Sequence, residues 1–133
     1  MFKKKFDLSK EGFTNLVAAN TRITGDIEFE GVIRVCGNVY GNVSATIDSA
    51  NTSGLILEEK SYVSGKAIRA FNIIAGGVVS SEVVWAENEM TILATAKITN
   101  ATIYYRHLSI EPGAMLNGCI LKHLDFVSEG EVT

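Results

Sequence analysis

Proline occurs once in this chain of 133 residues, and cysteine and histidine twice each. A single proline leaves strands free of interruption. The two cysteines, Cys36 and Cys119, lie far apart and in no metal-ligand spacing, which excludes a disulfide framework and leaves them as small, partly buried hydrophobes. No stretch approaches the roughly twenty apolar residues of a membrane-spanning helix. Lys3, Lys4 and Lys5 run into Phe6, Asp7, Leu8 and Ser9 without the apolar core of a secretory signal, so the chain is expected in the cytosol, in reduced form. With a net charge of −3 and no Lys/Arg patch interleaved with aromatics after residue 10, it lacks the footprint of a nucleic-acid binder. At 47% hydrophobic it also lacks the composition of a disordered chain.

What the chain does contain is β-branched residues. Val (12), Ile (13) and Thr (10) make up over a quarter of it, a bias that favours strands over helices. The length suits one domain with a core that needs neither disulfide nor metal. Charge separates the ends from the middle: residues 1–12 carry Lys3, Lys4, Lys5 and Lys10 against Asp7 and Glu11, and the last nine carry Asp125, Glu129 and Glu131 without a base. The expected organisation is a flexible basic and aromatic tail over 1–14, an all-β domain over 15–124, and an acidic tail over 125–133.

Internal repetition is the strongest signal. One aliphatic, three variable positions, a small residue, one variable position and a second aliphatic recur at Val17/Thr21/Ile23, Ile33/Gly37/Val39, Leu57/Ser61/Val63, Ile73/Gly77/Val79, Ile92/Ala96/Ile98 and Ile110/Ala114/Leu116. Successive copies start 16, 24, 16, 19 and 18 residues apart, by subtraction of those positions. A further aliphatic follows each copy, at Ile27, Val43, Ile68, Val84, Ile103 and Ile120. This spacing predicts a β-solenoid, a single-stranded parallel β-helix of about six coils, with aliphatics stacked inward and small residues at corners where volume is scarce. The long step places an outward loop at 46–54.

A left-handed hexapeptide solenoid, the acyltransferase type, is the alternative; Ile92, Ile98, Ile110 and Leu116 keep its six-residue rhythm, but the steps of 16 and 19 do not, and Asn51 and Arg69 fall where it needs an aliphatic. Any solenoid has two open ends with unpaired backbone and exposed core. Soluble ones cap them, and neither terminal segment here makes a convincing cap, so end-to-end stacking is expected. Like ends meeting would give a filament without polarity, unlike ends a polar one.

Residues that carry chemistry are sparse. His107 and His123 are one short of a three-histidine zinc site and read as exposed, non-catalytic groups. Glu58/Glu59 and Glu87/Glu89 have no partner base, and Gly76-Gly77 precedes no helix that could hold a phosphate. Trp85 with Tyr104 and Tyr105 one coil later reads as stacking along the solenoid rather than a ligand strip. No catalytic residue, cofactor, metal or small-molecule substrate is expected.

The segments Ile23-Thr24-Gly25-Asp26-Ile27, Val35-Cys36-Gly37-Asn38-Val39-Tyr40-Gly41-Asn42-Val43 and Leu108-Ser109-Ile110-Glu111-Pro112-Gly113-Ala114, in this order and coil spacing, resemble the bactofilins, bacterial cytoskeletal proteins. The resemblance covers roughly residues 16–122. It implies a right-handed parallel β-helix, assembly without nucleotide into non-polar filaments, often on the inner face of the cytoplasmic membrane, and a scaffolding role for cell-wall enzymes and cell shape. The sequence departs from the family in lacking glycine at corners such as Ser81 and Asn100, and in the 46–54 loop. By the same resemblance, Met1, Phe2, Lys3, Lys4, Lys5 and Phe6 form a membrane anchor, and Met115 or Leu116, shortly after Pro112-Gly113-Ala114, forms a polymerisation contact with Leu16 and Val17 as its counterpart at the other end. Three functions follow as alternatives: a non-enzymatic filament scaffold, a hexapeptide acyltransferase with His107 or His123 as base, and a monomeric adaptor binding a partner through the loop.

Overall fold

A computed structural model describes residues 15–46 and 51–126. Among these described residues, fourteen strands wind as a parallel β-solenoid of about six turns. Each coil contributes one strand to each of three faces. Face one stacks β1 (Asn15–Val17), β4 (Val32–Val35), β7 (Gly54–Leu57), the ends of the long strands β8 (Tyr62–Ala75) and β9 (Val78–Ile92), and β12 (His107–Ile110). Face two stacks β2 (Arg22–Thr24), β5 (Asn38–Tyr40), the starts of β8 and β9, β10 (Lys97–Thr99) and β13 (Met115–Asn117). Face three stacks β3 (Ile27–Phe29), β6 (Val43–Ala45), the middles of β8 and β9, β11 (Thr102–Tyr105) and β14 (Ile120–His123).

Alternation within each strand sends every second side chain inward, and parallel in-register pairing lines these up as ladders. Face two carries Ile23, Val39, Val63, Val79, Ile98 and Leu116. Face three carries Ile27, Val43, Ile68, Val84, Ile103 and Leu121. Face one carries Val17, Val35, Leu57, Ala75, Ile92 and Ile110, with Ile33, Leu55, Ile73, Met90 and Leu108 two residues earlier. Apart from Ile110 and Leu121 of the last coil, which stand exposed, these residues form or pack against one continuous core. An interior rung such as Leu57 is sealed above and below, so Leu57→Ala should cost about 2 to 5 kcal/mol in denaturant unfolding, whereas Thr99→Ala, on the outside of face two, should cost under about 0.5 kcal/mol.

Two details of the repeat are corrected. The rung that contains Val17 and Leu57 passes through Val35 and Ala75, not Ile33 and Ile73, so coil lengths are 18, 22, 18, 17 and 18 by subtraction along that rung. The corner between faces one and two explains the slip: it takes a four-residue turn at 18–21, 58–61, 93–96 and 111–114, each closed by a backbone hydrogen bond, but only two residues at Cys36-Gly37 and Gly76-Gly77. In the second correction, Leu121 and not Ile120 registers with Ile103; Ile120 sits opposite Thr102 and is exposed. The loop adds about four residues to its coil, and Gly54, expected within it, begins β7. Inward steps of two, four, four and two residues from Ile33 to Ala45 are unequal, which departs from the six-residue rhythm of the hexapeptide alternative.

At the corner between faces two and three, Gly25, Gly41 and Gly65 lie one above another. A Cβ on Gly41 would collide with the Gly25 carbonyl, and one on Gly65 with the Gly41 carbonyl, closer than any non-bonded contact allows. The neighbouring polar side chains link the stack: Asp26 Oδ1 accepts the Asn42 N–H at 2.9 Å, and Asn42 Oδ1 accepts the N–H groups of Lys66 and Ala67 at 2.8 and 3.0 Å. The Gly-Asp and Gly-Asn pairs are therefore corner pieces, satisfying backbone donors where the strand ladder is interrupted. Ser81 registers with Gly65 in the same column.

Candidate assembly surfaces

Among the described residues, β1, β2 and β3 at one end, and β12, β13 and β14 at the other, each pair with a strand on one side only. The C-terminal end exposes the core directly. Ile110 is 42% exposed where Ile92, one coil below, is 0%, and Leu121 is 41% exposed where Ile103 is 0%. Leu108 and Leu116 on the same coil pack against the core but are only partly covered. These are the ladder residues of the interior with their next rung missing.

The expected contact residues divide by side. On β1, Leu16 points outward and is exposed, while Val17 points inward and is buried. On β13, Met115 registers with outward Lys97 and is exposed, while Leu116 continues the inward ladder of Ile98. The pairs stand at opposite ends, five coil steps or about 24 Å apart. Ile110 and Leu121 were not among the expected contact residues; the signal that could have singled them out is membership of the last repeat, where an inward residue has nothing stacked above it. The anchor residues Met1, Phe2, Lys3, Lys4, Lys5 and Phe6 lie outside the described residues.

Beyond β14 the chain makes a short 3-10 turn, Leu124–Phe126, at the edge of face three. It is tied back by Arg106, which pairs with Asp125 at 2.5 Å, and by the His123 ring, 5.6 Å from both the Tyr105 and Phe126 rings. His123 Nδ1 accepts the Asp125 N–H at 3.1 Å. The Arg106 pair is largely solvated and contributes little to stability. The turn leaves Ile110, Met115 and Leu121 exposed.

His107 on β12 and His123 on β14 stand on different faces. Three carboxylates are engaged structurally: Glu58 pairs with Arg34 at 3.3 Å, Glu87 accepts from Trp85 Nε1, and Glu111 Oε1 accepts the Ala94 N–H at 2.8 Å. Among the described residues no three His, Cys, Asp or Glu side chains come together in a way that could hold a metal ion, and no helix is long and apolar enough to cross a membrane. Trp85 and Tyr104 register across adjacent coils with ring centroids 4.8 Å apart, and the Arg69 guanidinium lies 4.8 Å from the Trp85 ring. The aromatics and the cation thus satisfy one another along the outside of face three.

A family model described as bactofilin, polymer-forming cytoskeletal, matches residues 15–120. No curated protein and no solved structure matches the chain. That match begins with β1 and reaches Ile120, the first residue of β14 in the sixth coil, and the chain belongs to the bactofilin family of polymer-forming cytoskeletal proteins.

Proposed function

We propose that this protein is a non-enzymatic cytoskeletal scaffold whose solenoids stack end to end, without nucleotide, into filaments at the cytoplasmic membrane, where they localise cell-envelope or cell-shape proteins. The observation that carries this reading is the C-terminal coil, whose inward ladder stands partly in solvent while the coil below is sealed. A second solenoid placed there would cover Ile110, Leu116 and Leu121 and give the backbone of β12 to β14 a second neighbour. Leu16 and Val17 take the corresponding position at the other end. The purified protein, imaged by electron microscopy without nucleotide, should show filaments; a filament-free monomer across salt and concentration would overturn the proposal and favour the adaptor, which sedimentation would then report as a stable single species.

The membrane part rests on Met1, Phe2, Lys3, Lys4, Lys5 and Phe6. Burying a Phe side chain contributes about 1.5 to 3 kcal/mol and each Lys near an anionic surface about 1 kcal/mol. That total is marginal for one chain once ordering is counted. In a filament many such tails act together and avidity makes the attachment firm. Co-sedimentation with anionic vesicles should therefore be strong for filaments and drop at least about tenfold for Phe2→Ser with Lys3→Ala, Lys4→Ala and Lys5→Ala; unchanged co-sedimentation would remove the anchor from these residues.

A further inference from the structure

At the corner where face three passes into face one, coils two to four leave an open cavity of about 70 Å3. Drug-sized ligands fill roughly 300 to 1,000 Å3, so this cavity takes a single functional group. Its lining is fixed in place. Ser53, wholly buried, accepts the Phe71 N–H on Oγ at 2.9 Å and the Asn72 N–H on its carbonyl at 3.1 Å, which holds the start of the third coil against β8. Trp85 is 9% exposed, with the Arg69 guanidinium over its ring and the Tyr104 ring one coil beyond. The indole is thus a wall of the cavity and not a platform for a ligand.

Two charged groups held on that indole keep unused hydrogen-bonding capacity. A guanidinium over an aromatic ring retains the N–H donors in its own plane, and among the described residues Arg69 has no ion pair and no hydrogen bond that would occupy them. Glu87 accepts the Trp85 Nε1–H on Oε2, while its Oε1 has no donor. Both residues line the cavity, and the exposed Asn51 joins them there. A carboxylate entering this space would gain Arg69 but meet Glu87, and an ammonium would do the reverse. An amide is neutral and presents a carbonyl acceptor and an N–H donor side by side, which answers Arg69 and Glu87 together.

We infer that the cavity binds an amide group of a partner protein, either the side chain of an Asn or Gln or a main-chain peptide unit, and so docks that partner on the flank of the rod. The purpose of such docking rests on the scaffold reading, but the binding does not. The cavity lies at coils two to four, away from both end faces, so a chain that fails to stack still binds, and a filament that binds nothing still assembles.

Trp85 is the one tryptophan of the chain, so its fluorescence reads the cavity directly. The full-length protein, titrated at constant ionic strength, should give a saturable change with acetamide or N-methylacetamide, and at least about tenfold weaker responses to acetate and methylammonium. Preference for acetamide assigns the group to a side chain; preference for N-methylacetamide assigns it to the main chain. Arg69→Gln should weaken the amide response at least about tenfold. Glu87→Gln keeps an acceptor for Trp85 but puts a donor where the free oxygen was, and should reverse the order so that acetate binds better than either amide. No saturable response to either amide, an ion that matches the amides in the parent, or an unchanged order in Glu87→Gln would each overturn the inference.

Discussion

Leu116→Arg should leave a folded solenoid that no longer forms filaments. Leu116 is the last inward residue of face two, below it Ile98 and above it solvent. An arginine there can keep its stem against the core and lift its guanidinium past the open end. In a stacked filament the same guanidinium would be pressed into the contact without a partner, at a cost of several kcal/mol. Far-UV circular dichroism and the melting midpoint should stay within a few degrees of the parent, and sedimentation should show small species only. Val63→Arg makes the informative comparison, since Val63 occupies the same ladder three coils earlier and is wholly buried. There the charge has no exit, and the protein should fail to fold. Filaments that persist in Leu116→Arg would remove this residue from the contact.

Gly65→Ala should destabilise the solenoid by about 3 kcal/mol, more than the loss of a methylene from most core sites. The new methyl would meet backbone, the Gly41 carbonyl, which cannot swing aside as a side chain can. Relief would require coils two and three to part at a corner where Asn42 holds the N–H groups of Lys66 and Ala67. Ser81→Ala, one coil later in the same column, should be neutral or slightly stabilising, because the Ser81 hydroxyl is buried without a hydrogen-bond partner. Urea unfolding of both variants checks the pair; equal midpoints would show that the glycine column is not a close-packed stack.

Most of this architecture was legible because a parallel solenoid writes its cross-section into the chain once per turn. The corner residues Thr21, Gly37, Ser61, Gly77, Ala96 and Ala114 were found in place, as was the ladder from Ile23 to Leu116. The face-one ladder was misread by two residues at Ile33 and Ile73, since both are also inward and the short glycine corners after Val35 and Ala75 can be seen only once the turns are compared in space. Ile120 was preferred to Leu121 for the same reason: two adjacent aliphatics fit a gap of either length, and only pairing with Ile103 decides. At the ends, the sequence reading named Leu16, Val17, Met115 and Leu116 but not the exposed Ile110 and Leu121. Exposure there depends on the absence of a neighbouring rung, which no residue type encodes, and so Ile110 looked like ordinary core.

The in-register ladder also makes the subunit a ruler. Each coil adds one strand spacing, about 4.8 Å, to the length of the rod and little to its width. A variant lacking the coil between Tyr62 and Val78 would join equivalent points of the winding and keep both end faces intact. In a filament of stacked solenoids its subunits would repeat at intervals shorter by that one spacing. The distance between successive tails along a filament is thus quantised, and its pitch can change only by whole turns of the chain.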